Sequence, residues 1–430
     1  MLSLCQYADK MNVLIVNTSE KSGGAAVAAG RLVEALNCSG VKAKMAVMNK
    51  ETGSFTVIGT QSSFQRKKNF LLERLGLFIR LHFNKTHLFD IDTASMGTDI
   101  TQLREFQEAD VIHFHWINQG MLSLKNIRSI LRSGKKVVWT MHDIWPATAI
   151  CHLTLDCTRF HSSCCHCPLL SGGGSDNDLA AKTWRRKQQL LSQYHINFVT
   201  CSQWLASEAR KSALLKNQSI TSIPNPIDNR RFAPQDKKVA RRATGLPVDK
   251  RLILFAAQRV TNKYKGMDYL IEACRKMSEQ NPEMLNDTGV IILGGSADEL
   301  RDSFTFPVYT ISYISDEKKM AELYNSADVF VLPSLSENLP NTIMEAMSCG
   351  VPCVGFNVGG IPEEIDHKHN GYVAEYKSSD DLAKGIRWIL NEGDYHQLSI
   401  NAVAKVSSHY SQRSVAMKYI EVYEKASKNK

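Results

Sequence analysis

The chain has 430 residues, 43% hydrophobic and 22% charged, with a formal net charge of +9. That length supports two α/β domains, each with its own core, and the composition excludes collagen-like, disordered and disulfide-scaffold proteins. The moderate positive charge suits an anionic ligand or an anionic membrane surface and does not by itself indicate nucleic acid.

No apolar run reaches the length of a transmembrane helix. Residues 1–10 carry Asp9 and lack the apolar core of a secretory signal. A cytoplasmic location is therefore expected, with the 11 cysteines as reduced thiols or metal ligands.

Residues 11–17 (MNVLIVN) read as a first parallel strand. A loop ending in Gly23-Gly24 follows, then a helix over about 25–37. Glycines there permit tight turning and close backbone approach to a ligand, although the full dinucleotide fingerprint and the Walker pattern are absent. An ordinary strand-to-helix turn is the alternative reading.

Residues 64–89 are rich in apolar and basic side chains. Leu72, Leu75, Ile79 and Phe83 fall on one helical stripe, with Leu77 and Leu81 opposite. Such a helix either touches anionic lipid or packs in the core on several sides.

Residues 110–116 (DVIHFHW) and 136–141 (KVVWTM) are further strands, and His142-Asp143 stand at the carboxyl end of the second. Ligand residues of a doubly wound sheet sit there. Asp143 either orients His142 or is a simple turn residue, the latter being favoured, and His113 or His115 is expected to be buried and hydrogen-bonded. The stretch CHLTLDCTRFHSSCCHC then offers Cys151, Cys157, Cys164 and Cys167 as four thiolates for a structural zinc. A reduced Cys-rich loop or a disulfide pair is the alternative. Residues 172–176 read as a mobile loop, 197–202 as a strand, 203–215 as its helix, and 220–223 as a short strand. Pro224 and Pro226 enforce an extended linker.

A second alternation starts at 251–257, and Arg259 and Lys265 flank the loop before a helix over 267–280. A guanidinium and an ammonium there suit a diphosphate. Strands at 290–293 and 309–314 follow, and a helix starts near Asp316. The apolar run 328–333 leads into SENLPNTIMEAM, with Glu337 and Glu345 eight residues apart around a helix start. A helix N-terminus at a strand end is an anion site. Thr342-Ile343-Met344-Glu345 fits a capping box equally well.

Taken together, Glu337-x7-Glu345, Arg259-x5-Lys265, His142, Gly23-Gly24 and the proline linker resemble the family 4 retaining glycosyltransferases of bacterial surface-polysaccharide type. The resemblance implies the α/β GT-B fold, with two Rossmann-like domains facing across a cleft. Residues 11–225 would form the acceptor-side domain, with a helix at 411–428 packing back onto it. Residues 226–405 would bind the donor.

Arg259 and Lys265 would hold the donor diphosphate, Glu345 the ribose, and Glu337 and His142 the sugar, as catalytic residues. Gly23 and Gly24, and backbone N–H groups around Leu339, Asn341 and Thr342, would meet phosphate or sugar oxygens. Tyr313 or Ile314 would border the base. No cofactor would be required for catalysis.

The implied partners are a nucleotide-diphosphate sugar and a glycan or lipid-linked acceptor. Peripheral contact with an anionic membrane at its cytoplasmic face would accompany them. The chain departs from the family pattern at Asn338-Leu339-Pro340, where Gly-Phe-Gly is common, and at Ser312. A nucleotide-sugar epimerase and a non-catalytic nucleotide-sugar-binding module are the rival readings.

Overall fold

The computed structural model describes residues 11–60 and 62–426. The chain divides into two compact units. One comprises the residues up to Pro226 together with those from Val415 onward, and the other Ile227–Ser414.

The first unit is built on a parallel sheet of seven strands in the order β3-β2-β1-β4-β5-β6-β7. These are β1 (Asn12–Ser19), β2 (Lys42–Asn49), β3 (Val57–Gly59), β4 (Val111–Phe114), β5 (Lys136–Met141), β6 (Asn197–Thr200) and β7 (Ser219–Ser222). Parallel strands covered on both faces are apolar on both sides, and β1 follows that rule. Leu14 and Val16 join one core layer with Phe114, Trp139 and Trp145. Val13 and Ile15 join the other, with Leu32 and Leu36 of helix α1 (Gly24–Cys38). Helix α2 (Ser63–Arg80) starts where the Ser62 side chain accepts the Gln65 N–H.

The C-terminal helix Gln412–Lys425 supplies Val415, Tyr419 and Tyr423 to the α1 layer. The end of the predicted 411–428 helix, past Ala426, lies outside the described residues.

The second unit repeats the plan with six parallel strands in the order β10-β9-β8-β11-β12-β13. They are β8 (Arg251–Arg259), β9 (Thr288–Gly295), β10 (Val308–Ile311), β11 (Val329–Leu332), β12 (Cys353–Phe356) and β13 (Gly371–Ala374). Helices α3 (Met267–Gln280), α4 (Glu317–Ser326) and α5 (Asn341–Ser348) follow β8, β10 and β11. Asp316 caps α4 by accepting the Lys318 and Lys319 N–H groups.

In each sheet the winding reverses beside the first strand, between β1 and β4 and between β8 and β11. In doubly wound folds the crevice at the carboxyl ends of those strands is where ligands bind.

Three expectations shift. The strand expected to reach 314 stops at Ile311, which pairs with Leu293, just before Gly294 bends β9 away at φ 143°. The helix expected to reach 215 ends at Arg210, and Ser212 then donates to the Ala147 carbonyl at 2.6 Å. The stretch expected as a loop over 172–176 begins in a short 3-10 turn, Ser171–Gly173, and Asp178 Oδ2 accepts the Cys167 N–H at 2.9 Å and the Ser175 N–H at 3.2 Å on either side of it.

Candidate active site

In the second unit the switch-point crevice is assembled by two glycines. β8 carries a bulge before Arg259, leaving that side chain exposed at the strand end. The chain then makes a tight turn over Lys263–Lys265, with Asn262 accepting the Tyr264 N–H. Gly266 follows at φ 69°, and a Cβ there would stand 1.8 Å from the Pro333 carbonyl oxygen at the exit of β11. Only glycine tolerates both that dihedral and that approach.

The Leu335 N–H donates to Tyr264 O at 2.8 Å, fastening the two loops. On the far side Gly359, at φ 59°, would place a Cβ 1.7 Å from Glu337 O. The result is an ion pair between the Lys265 ammonium and the Glu337 carboxylate, at the point where the strand order reverses.

Glu345 lies buried on α5, where the Tyr324 hydroxyl of α4 donates to its Oε2 at 2.8 Å. The capping-box reading is corrected here. Pro340 is the N-cap of α5, no side chain caps the helix, and Asn341 is its first helical residue. Thr342 therefore stands inside the helix, where it cannot cap. Leu339 is buried, and Asn341 and Thr342 are half-buried in the first turn, where an α-helix aims unsatisfied N–H groups outward. Tyr313 is exposed and Ile314 half-buried between β10 and α4.

The sequence reading missed Glu364. It is wholly buried, and among the described residues neither carboxyl oxygen has a hydrogen-bond partner. Burial first, then the charges of Glu337, Glu363 and Glu345, push its pKa well above the carboxylate range, against the pull of Lys405. No pattern in IPEEI distinguishes Glu364 from Glu363; the signal is its apolar surroundings.

In the first unit, Gly23 caps α1 at φ 90° and stands exposed with Gly24 after β1. His142 follows β5, and its ring is engaged on both sides. Nε2 lies 2.8 Å from His115 Nδ1, and Nδ1 lies 3.5 Å from Cys201 Sγ. Burial holds the His142 pKa down, to about 4, against the pull of Asp143, and burial with the neighbouring imidazoles drops His115 well below its usual value. His113 is wholly interior, bonded to Tyr423 Oη at 2.8 Å and Thr140 Oγ1 at 2.7 Å.

Asp143 does not orient His142. It accepts the Trp116 indole N–H at 2.9 Å and the Trp145 N–H at 2.8 Å, and pairs with His152 Nδ1 at 2.8 Å. Burial works to raise its pKa, but His152 and these donors overcome it and hold the carboxyl low. Asp143 thereby anchors the start of the cysteine loop.

Cys151, Cys157, Cys164 and Cys167 are free thiols. Burial pushes Cys164 up to about 12 and Cys167 up to about 11, and Cys151 and Cys157 are close enough to add to both shifts. Even so, among the described residues no group of three or more His, Cys, Asp or Glu side chains is arranged to hold a metal ion.

Residues 236–405 match the family model described as glycosyl transferases group 1, and residues 22–231 match that of glycosyltransferase family 4. The chain belongs to the family 4 glycosyltransferases. This glycosyltransferase is 25% identical over 353 residues to an uncharacterised glycosyltransferase of Methanocaldococcus jannaschii, covering 78% of this chain and 89% of that one. A D-inositol 3-phosphate glycosyltransferase of Geodermatophilus obscurus is 30% identical over 188 residues, 39% of each chain. Against that relative and several others, the match spans about half of their length or less.

Among solved structures, sucrose-phosphate synthase from Thermosynechococcus elongatus superposes with a TM-score of 0.64 at 18% identity, over 96% of this chain and 98% of the other. Anabaena HepE in complex with UDP-glucose gives 0.63 at 17%, over 96% and 99%. These likenesses establish the GT-B fold, with two parallel-sheet Rossmann-like units.

Proposed function

We propose that this glycosyltransferase moves a hexose-type sugar from a nucleoside-diphosphate sugar to a glycan or lipid-linked acceptor, with retention of configuration, in cytoplasmic polysaccharide biosynthesis. The observation that carries the reading is the Lys265–Glu337 pair at the switch point of the second sheet. A cation and a carboxylate meet there at the loop that leads into α5, chemistry that suits the diphosphate, with the negative charge that builds on it, and the sugar hydroxyls of a nucleotide sugar.

In this reading Lys265 and Arg259 neutralise the diphosphate as the sugar bond breaks, and the Arg fork takes two oxygens. Glu337 yields its partner in part to the phosphate and turns toward the sugar hydroxyls. Glu345, held by Tyr324, accepts the ribose hydroxyls. The acceptor oxygen attacks on the face the diphosphate leaves, and its proton passes to the departing phosphate oxygen. Burial holds the His142 pKa down to about 4, and both ring nitrogens already face His115 and Cys201, so in this reading it reaches the sugar as a neutral ring that gives up one of those partners. The complex of Anabaena HepE with UDP-glucose makes that donor the first to test.

A panel of nucleotide sugars tests the reading. Slow release of free sugar and nucleoside diphosphate supports it. Formation of an epimer, or binding without turnover, would replace it with an epimerase or a binding module. For the cysteine loop, zinc held by Cys151, Cys157, Cys164 and Cys167 is proposed from the four thiols of that stretch and not from their arrangement, since among the described residues no three such side chains are grouped to hold a metal ion. A ratio of zinc to chain near one in reducing buffer supports it, and a ratio near zero ends it.

A further inference from the structure

Helix α2 is turned inside out. Its inward face carries Asn69, Glu73 and Arg74 with Leu77, all buried. All three polar side chains have partners there, although Arg74 Nε itself makes no hydrogen bond among the described residues. Glu73 accepts the hydroxyls of Thr93 and Ser95 and the N–H groups of Ser95 and Met96. Arg74 pairs with Asp92 and donates to the Leu88 carbonyl at 2.6 Å. Asn69 donates to Thr98 Oγ1 at 3.0 Å.

The outward face carries the large apolar side chains. Phe64 is 78% exposed, Leu71 62%, Leu72 41%, Leu75 52% and Ile79 52%, and Phe83 beyond the helix end is 69% exposed. At the helical period Phe64, Leu71, Leu75 and Ile79 form one stripe, flanked by Leu72. A water-facing helix normally shows the reverse arrangement, and a contiguous exposed apolar patch marks an interaction surface.

The charge on that surface has one sign. Lys67, Lys68, Arg80 and Lys85 are exposed, whereas the single acid between residues 62 and 89 is the buried Glu73. Among the described residues no helix is long and apolar enough to cross a membrane.

We infer that the outer face of α2 docks on an anionic lipid bilayer, with the Phe64–Leu71–Leu75–Ile79 stripe and Phe83 entering the headgroup–acyl boundary and Lys67, Lys68, Arg80 and Lys85 meeting lipid phosphates. The charge pattern selects this occupant. An apolar stripe whose own segment exposes cations and no acid is repelled by a second copy of itself, and it matches a surface whose potential is negative. The inference stands on the surface of one unit and does not depend on which donor or acceptor is used.

Vesicle flotation of the full chain tests it. Vesicles of phosphatidylglycerol and phosphatidylcholine are expected to carry the protein up, and vesicles of phosphatidylcholine alone to leave it behind. Leu75→Glu with Ile79→Glu should abolish flotation. Lys67→Glu with Lys68→Glu should weaken it at least tenfold or so, an effect that shrinks with added salt. Both pairs lie on the solvent side, so an unchanged melting temperature and unchanged donor hydrolysis confirm that each variant is folded. Three results would overturn the inference: no flotation of the wild type on anionic vesicles, equal flotation of the variants, or a dimer in light scattering that Leu75→Glu dissolves.

Discussion

The Lys265 ammonium and the Glu337 carboxylate are ion-paired across the loops that leave β8 and β11, 72 residues apart in sequence. If that ammonium serves the diphosphate, Lys265→Ala lowers kcat/KM for the nucleotide sugar by about 10²–10³, the usual loss on removing one preorganised charge stabiliser. Folding stability changes by less than about 1 kcal/mol, since the pair is partly solvated. Steady-state kinetics with a chemical-denaturation curve separates the two effects. Equal kinetics in wild type and variant removes Lys265 from the site.

Tyr324 acts through Glu345. Its hydroxyl donates to Glu345 Oε2 from a fully buried ring. Tyr324→Phe keeps the ring and removes one hydrogen bond, a loss of roughly 1 kcal/mol. If Glu345 holds the ribose, nucleotide-sugar KM should rise about fivefold while kcat stays within about twofold, because that contact would be the same in ground and transition states. A fall in kcat at constant KM would place Glu345 in the chemistry.

Gly359 is a packing device for Glu337. A Cβ at that left-handed position meets the Glu337 carbonyl oxygen at 1.7 Å. Gly359→Ala should cost about 1–3 kcal/mol of stability from the dihedral alone, and more from the clash. Catalysis should drop as well, because the loop carrying Glu337 has to move. Thermal melting and kinetics on the same sample check both.

Glu364 should make stability pH-dependent in a predictable sense. Burial keeps its proton on in the folded chain, whereas the unfolded chain releases it above about pH 4.3. The folded state then binds the extra proton, so stability is full below that pH and is lost as pH rises toward the raised pKa. Glu364→Gln, neutral and of the same size, should melt higher than wild type at pH 8 and equal it at pH 4. A variant that melts lower at pH 8 would show that the carboxyl is ionised and paired.

Much of this architecture was legible because parallel strands buried on both faces announce themselves. β1 and β8 are each built around an unbroken apolar run, Val13–Val16 and Leu252–Ala257, and β11 is apolar throughout, and the α3 boundaries follow from Gly266 and the period of its buried residues. β2 was not legible, since Lys42 and Lys44 interrupt it on its exposed positions. The candidate residues could be placed at strand ends, but the Lys265–Glu337 contact could not be seen, because Gly266 and Gly359 create it by close approach in space.

The capping box failed for a local reason: Pro340 starts α5 before Thr342 can cap it. His113 was open to a functional reading until its partner Tyr423 appeared, 310 residues away. On α2 the apolar period was visible, but whether it faced inward was decided by Glu73 and Arg74, whose partners lie in residues 88–96.

The most direct test of the central claim is a nucleotide-sugar turnover assay on the wild-type chain and Lys265→Ala, starting with UDP-glucose and reading released nucleoside diphosphate together with the anomeric configuration of the product. The account predicts turnover of at least one nucleoside-diphosphate sugar with retained configuration, and a loss of about 10²-fold or more in the variant. An inverted product, or turnover that Lys265→Ala leaves intact, would contradict it.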